Sequence, residues 1–366
     1  MNKICFIYNY AQHYRKEIFS LMDKGLDIVF YFGDKMGDVK KLNYDIFQHP
    51  VHEVKNYQFG PLKWQSHVAW LGFKKKYKTF IMLGEPMTIS TWILLLTGKL
   101  LGKRMIFWTH GWYGREGVLK KIIKKVFFGL ADYTLTYGEY ARNLMIEAGL
   151  DGEKIKVIHN SLAYSEQLSL REHLSEKPLY TEHFGNNHPV IVFIGRLTPV
   201  KKLHMLLQAC VVSKQKNSNY NLVFVGDGEE KERLIQETKD LRIEGNVWFY
   251  GPSYDEKELS ELLYNADVCV APGNIGLTAM HAMSYGCPCI SHDDFTLQMP
   301  EFEAISEGVT GSFFKYGDVD SLSTCIDNWI TTHSNDREQI RTNCFREIDE
   351  RWNPYRQMDL LKQVVQ

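Results

Sequence analysis

Twice along its length the chain alternates short apolar runs with helical patterns, and this repetition most constrains its fold. Runs at residues 4–8, 28–32, 79–83, 104–109, 132–136 and 156–159 read as strands, with helices at 16–21 and 90–101. After a polar interval the pattern restarts, with strands at 189–195, 221–226, 247–250, 267–271 and 288–291. Helices are expected between them at 201–213, 229–241, 256–264 and 277–285, then at 320–330 and 336–349. Strand–helix alternation means βαβ units around a parallel sheet covered on both faces. The predicted class is therefore α/β, as two consecutive doubly wound, Rossmann-like domains.

A length of 366 residues suits two domains. The expected boundaries are 1–165 for the first domain, 166–188 for a linker rich in turn residues, and 189–349 for the second. A last helix at about 350–366 is expected to pack back on the first domain. The formal net charge of −1 argues against a dedicated nucleic-acid binder. Seven scattered cysteines, without C-x-x-C spacing, fit a reducing compartment better than a disulfide framework or a zinc site. The N-terminus has no signal-peptide pattern, and the most apolar window, 89–101, is broken by Thr97, Gly98 and Lys99. These features predict a cytoplasmic protein.

In doubly wound sheets ligands sit beyond the carboxyl ends of strands, on the loops leading into helices. One such loop runs from Gly195 and Arg196 to Lys201 and Lys202, where a helix is expected to begin. Arg196 offers a forked donor set and Lys201 a point charge, which together suit a diphosphate; the alternative is a solvated basic turn. A second loop, Pro272 to Gly276, opens another helix. Glycines let backbone approach a ligand there, and N–H groups at a helix start favour an anion; the alternative is an ordinary tight turn. A third, Gly226-Asp227-Gly228, either flanks a nucleotide or is a turn with Asp227 near a helix start. In the first half, His13, Tyr14 and Arg15 lie at a strand end, where polar and aromatic groups suit sugar hydroxyls; packing against the domain is the alternative. Glu85, His292, Asp293, Asp294 and Glu301 are candidates of the same kind.

The ordered segments GRLTPVKK, VFVGDGEE, VWFYGP, ELLYNADVCVAPGNIGLTAMHAMSYGCPCIS and EGVTG resemble the carboxyl-terminal half of retaining GT-B glycosyltransferases of the family 4 type, the glycosyl transferases group 1. A weaker likeness reaches back through WTHGWYG, ADYTLTYGEYARNLM and KIKVIHNSL. The resemblance implies two domains facing a central cleft and a nucleotide-diphosphate sugar as donor, either a UDP- or a GDP-sugar. It implies transfer with retention to a saccharide or lipid-linked oligosaccharide, in bacterial surface polysaccharide synthesis, with no metal or other cofactor. It assigns the donor diphosphate to Arg196 and Lys201, with Gly195, Asp227, Gly251 and Pro252 around the nucleotide. The turn Gly273, Asn274, Ile275, Gly276, Leu277 and Thr278 would meet phosphate and sugar, and His110 the reacting centre. His13, Tyr14, Arg15, Glu85 and Trp112 are the acceptor-side candidates.

The chain departs from that pattern at one place. The family's two glutamates, eight positions apart, correspond to Gly273 and His281. Histidine can still hydrogen-bond a ribose hydroxyl, or it can be a satisfied helix residue; glycine cannot replace the first glutamate, though Asn274 beside it is polar. A non-catalytic nucleotide-sugar-binding protein and a GT-B-like nucleotide-sugar epimerase are the competing readings. Finally, Lys120, Lys121, Lys124 and Lys125 interleave with apolar residues over 118–128. This pattern predicts either contact with an anionic membrane surface, at the inner face of the cytoplasmic membrane, or a helix whose apolar side packs on the sheet.

Overall fold

The computed structural model describes residues 3–37 and 39–366. The chain divides into two compact units: Met1–Ala163 with Asn353–Gln366, and Tyr164–Trp352.

The first unit holds β1 (Lys3–Tyr8), β2 (Ile28–Gly33), β3 (Val51–Val54), a two-stranded hairpin β4 (Asn56–Phe59) and β5 (Leu62–Gln65), β6 (Tyr77–Leu83), β7 (Arg104–Thr109), β8 (Tyr133–Thr136) and β9 (Ile155–Val157). Its parallel sheet has the order β3-β2-β1-β6-β7-β8-β9. The helices are α1 (Lys16–Gly25), α2 (Ile89–Leu100), α3 (Val118–Gly129) and α4 (Glu139–Glu147). The interiors of β1, β2, β7 and β8 are buried on both faces, which is why their apolar runs are uninterrupted. One core cluster joins Phe6, Phe30 and Trp108 to Phe19 and Met22 of α1. The other joins Phe80 and Phe107 to Leu94 and Leu95 of α2 and Phe127 of α3.

The second unit holds α5 (Tyr164–Arg171), α6 (Leu179–Phe184), β10 (Val190–Ile194), α7 (His204–Gln215), β11 (Asn221–Val225), α8 (Lys231–Asp240), β12 (Val247–Gly251), α9 (Glu256–Asn265), β13 (Val268–Ala271), α10 (Leu277–Ser284), β14 (Cys289–His292), β15 (Gly311–Phe314), α11 (Val319–Thr332) and α12 (Arg337–Arg351). Its parallel sheet runs β12-β11-β10-β13-β14-β15. The last helix, α13 (Pro354–Val365), belongs to the first unit: Met358, Leu361 and Val364 join the α1 side of its core. Asn353 caps α13 and Gln357 donates to the His159 carbonyl at 2.8 Å.

The stretch expected as a linker, 166–188, is mostly folded against the second unit. Its anchors are polar, which an apolar period cannot reveal. Buried Gln167 accepts from Ser284 and donates to Glu256, and the Tyr180 hydroxyl donates to the Leu262 carbonyl at 2.6 Å.

Candidate functional site

Strand order in the second unit reverses between β10 and β13, so their following loops diverge and leave a crevice at the carboxyl edge. Glycines let the surrounding backbone close up. A Cβ on Gly226 would lie 1.9 Å from the Gly195 carbonyl oxygen, and one on Gly228 would lie 2.4 Å from that of Leu197. Gly195 N–H donates to Val225, Leu197 to Asp227 and Gly226 to Gly251, so the three loops form one backbone-bonded floor.

Lys201 does not open a helix as the spacing predicts. Pro199 starts a single 3-10 turn, Lys202 takes a left-handed φ of 51°, and α7 begins only at His204. The Lys201 amine instead donates to the Asn274 carbonyl at 2.6 Å and to Asn274 Oδ1 at 2.9 Å. Burial lowers its ammonium to about 8, opposed by the nearby Glu301 carboxylate and assisted by Arg196. Arg196 itself stays exposed at the start of the loop.

The second loop is locked onto the first. Gly273 N–H donates to the Lys201 carbonyl at 2.8 Å, and a Cβ on Gly273 would lie 1.9 Å from the Val200 oxygen. Position 273 is thus closed to any side chain. Ile275 N–H donates to Gln298 Oε1 at 3.0 Å, Gln298 holds Ser291 and the His292 carbonyl, and Thr278 Oγ1 donates to Ile194 at 2.8 Å. Gly276, with a φ of 56°, turns the chain into α10. The first-turn N–H groups of that helix, around Leu277 and Thr278, have no internal acceptors and carry the positive end of its dipole. Lys201 and a helix N-terminus therefore converge, but the helix is α10.

His281 is engaged within the unit. Its Nε2 lies 3.0 and 3.2 Å from the carboxylate oxygens of Glu256, the first residue of α9. Burial alone would raise the Glu256 carboxyl, but hydrogen bonds from His281, Gln167 and Tyr285 outweigh it and hold it at about 2. Asp227 is exposed and accepts from its neighbour Gly228 N–H, with Lys231 at 3.5 Å. Gly251 has a φ of 94° and leads into Pro252, beside the floor. His292 is buried, held down to about 4 by that burial, and its ring lies 4.6 Å from Tyr316, over which Lys202 sits at 3.9 Å.

The first unit has the same reversal, between β1 and β6, with different chemistry around it. Arg15 is buried, and its Nη2 donates to the Tyr137 hydroxyl at 2.6 Å, itself 2.7 Å from Tyr8 Oη. Its guanidinium lies over the rings of Tyr8, Tyr137 and Trp108 at 5.2–5.7 Å. His110, at the end of β7, packs on Tyr137 at 4.8 Å; burial and then the Arg15 charge lower it to about 4, so it is neutral at physiological pH. His13 and Tyr14 are half-buried beside this group. Two acceptor-side candidates fall outside it. Trp112 is buried core, packed on Phe128 and under the Lys124 amine, because Lys124 turns inward to pair with Glu116. Glu85 is paired with Lys63.

Residues 181–346 match the family described as glycosyl transferases group 1. That match spans most of the second unit, and the chain is a glycosyltransferase. Over 307 residues the glycosyltransferase is 25% identical to a 41.2 kDa protein of the cps region of Klebsiella pneumoniae, covering 80% of this chain and 79% of that protein. Its fold matches Anabaena HepE in complex with UDP, 18% identical, TM-score 0.75, with 99% of both chains covered. It also matches the lipopolysaccharide outer core galactosyltransferase WaaB, 17% identical, TM-score 0.73, with 99% of both chains covered. The fold is GT-B. Among the described residues no group of three or more His, Cys, Asp or Glu is placed to hold a metal ion.

Sequence reading missed Glu256, Gln298, Tyr8 and Tyr137. Glu256 carried no signal, since an acidic residue at a helix start reads as a dipole partner.

Proposed function

We propose that the glycosyltransferase moves a sugar, with retention, from a nucleotide-diphosphate sugar to a saccharide or lipid-linked saccharide during surface polysaccharide synthesis. The observation that carries this reading is the meeting of Lys201 with the α10 turn at the β10/β13 reversal, beside exposed Arg196. Cations and unpaired N–H groups placed where diphosphate charge develops stabilise the departing group. The bond from the anomeric carbon to the diphosphate oxygen breaks, the acceptor oxygen bonds to that carbon, and its proton passes to the leaving diphosphate. Arg196 clamps the diphosphate; Lys201, already tied to Asn274, adds charge and holds the turn against it.

The donor is a UDP-sugar on this reading, by analogy with Anabaena HepE, whose structure contains UDP. Gly195, Asp227, Gly251 and Pro252 would border the nucleotide, and the His281–Glu256 pair would meet the ribose hydroxyls. Asn274 would stand in for the missing first glutamate toward the sugar. In the first unit, neutral His110 would orient the reacting centre, and His13, Tyr14 and Arg15 would receive the acceptor. The name of the Klebsiella relative, a protein of a cps region, and that of WaaB, a lipopolysaccharide galactosyltransferase, support a cell-surface glycan as product.

Incubation with UDP- and GDP-sugars and candidate lipid-linked acceptors, read by mass spectrometry, tests the reading. A nucleotide that stabilises the protein thermally without transfer to any acceptor would make it a binder instead.

A further inference from the structure

We infer that the first unit docks on an anionic lipid surface through one continuous face built from α2, α3 and the turn before β6. This inference is argued from that face alone and stands whether or not the acceptor is lipid-linked.

The face begins with α3. Its first six residues, Val118 to Ile123, are exposed on every side, and only Lys124, Phe127 and Phe128 are buried. The sequence left open whether the aliphatic side of this helix packs on the sheet; instead Val118 is 78% and Leu119 72% exposed, with Ile122 and Val126 also outward. Beside it runs α2, touching α3 where the Trp92 and Phe127 rings lie 4.8 Å apart. Ile89, Ile93, Leu96 and Leu100 make a second outward stripe at helical spacing, ending with Leu100 at 85% exposure. Trp70 and Phe73, on the turn packed against α2, are exposed as well. Apolar patches this extensive are unusual on a monomer's water-facing surface.

Charge decides the occupant. Residues 68–78, 89–104 and 118–129 contain no Asp or Glu. They present exposed Lys74, Lys75, Lys76, Lys120, Lys121 and Lys125 instead. A second copy of the chain would set like charges against each other, whereas an anionic bilayer surface takes up lysines and aliphatics together. Exposed aromatics suit the headgroup level. No helix among the described residues is long and apolar enough to cross a membrane, so this contact lies on the surface.

Flotation of the full chain with phosphatidylcholine vesicles, with and without phosphatidylglycerol, tests this. Binding only to the anionic vesicles, released by salt, is expected. Lys120→Gln, Lys121→Gln and Lys125→Gln together should lower partitioning about a hundredfold. Leu100→Ser with Leu119→Ser should lower it about tenfold or more. Val309→Gln, an exposed position of the second unit, should leave it unchanged. Wild-type protein that ignores anionic vesicles overturns the proposal, as does binding that survives both sets of substitutions. A dimer in solution that Leu119→Ser dissociates, without vesicle binding, overturns it too. Melting temperature checks that each variant is folded. Thermal stabilisation by UDP, read on the same samples, reports separately on the donor site.

Discussion

The two strand-order reversals of this protein share a topology and differ in what fills them. At β10/β13 the backbone is brought close by Gly226, Gly228 and Gly273, and the chemistry is cationic: exposed Arg196, half-buried Lys201 and a helix N-terminus. At β1/β6 the space is filled by side chains: Tyr8, Tyr137, Trp108 and His110 around a buried Arg15. A diphosphate needs close N–H groups and positive charge. A saccharide needs aromatic faces and neutral hydrogen-bonding groups. The difference teaches that one topology supplies two crevices and that local residues give each its own chemistry.

The comparison breaks most sharply at Arg196. Arg196→Glu is expected to reduce transfer about 10³-fold without lowering the melting temperature, since the side chain is exposed. Equal activity would remove the cationic crevice from the mechanism.

Next is the closed position at Gly273. Gly273→Ala should destabilise by about 3 kcal/mol and abolish stabilisation by UDP, because its Cβ meets the Val200 carbonyl. Gly273→Glu, which introduces the residue that the resemblance implies, should be worse. A well-folded Gly273→Glu protein with intact donor binding would show that the turn can open.

The pH profile sharpens the contrast between the two titratable groups. Lys201 is charged below about 8 and loses its proton as pH rises through that value. Donor kcat/KM should therefore fall above about pH 8, approaching tenfold per pH unit. His110, held at about 4, is neutral throughout pH 5–8 and should add no inflection there. Lys201→Arg should remove the alkaline limb.

Arg15→Met should leave stability nearly unchanged, since a methionine fills similar volume and no buried carboxylate is stranded. Acceptor kcat/KM should fall about tenfold while donor KM stays constant. The smallest effect is expected at His281→Ala, a rise in donor KM of about fivefold, matched by Glu256→Gln if the pair acts together.

Much of the fold was legible because a parallel strand buried on both faces writes an unbroken apolar run. The ends of β10 and β13, and so the loops at Arg196 and Gly273, followed from those runs. The folded character of 166–188 was not legible, because Gln167 and Tyr180 hold it by polar contacts to residues 117 and 82 positions away. Trp112 looked available because it follows the end of β7; Lys124 pairing with Glu116 draws it into the core.

The sequence by itself determined two doubly wound domains and the cationic loop. Tertiary structure decided where those groups point. Lys201 meets the α10 turn, Gly273 lies against Val200, His281 faces Glu256, and the aliphatic residues of α3 face water. The reason is physical: periodicity records how much of a side chain is buried, while orientation depends on segments far away in the chain that only packing brings together.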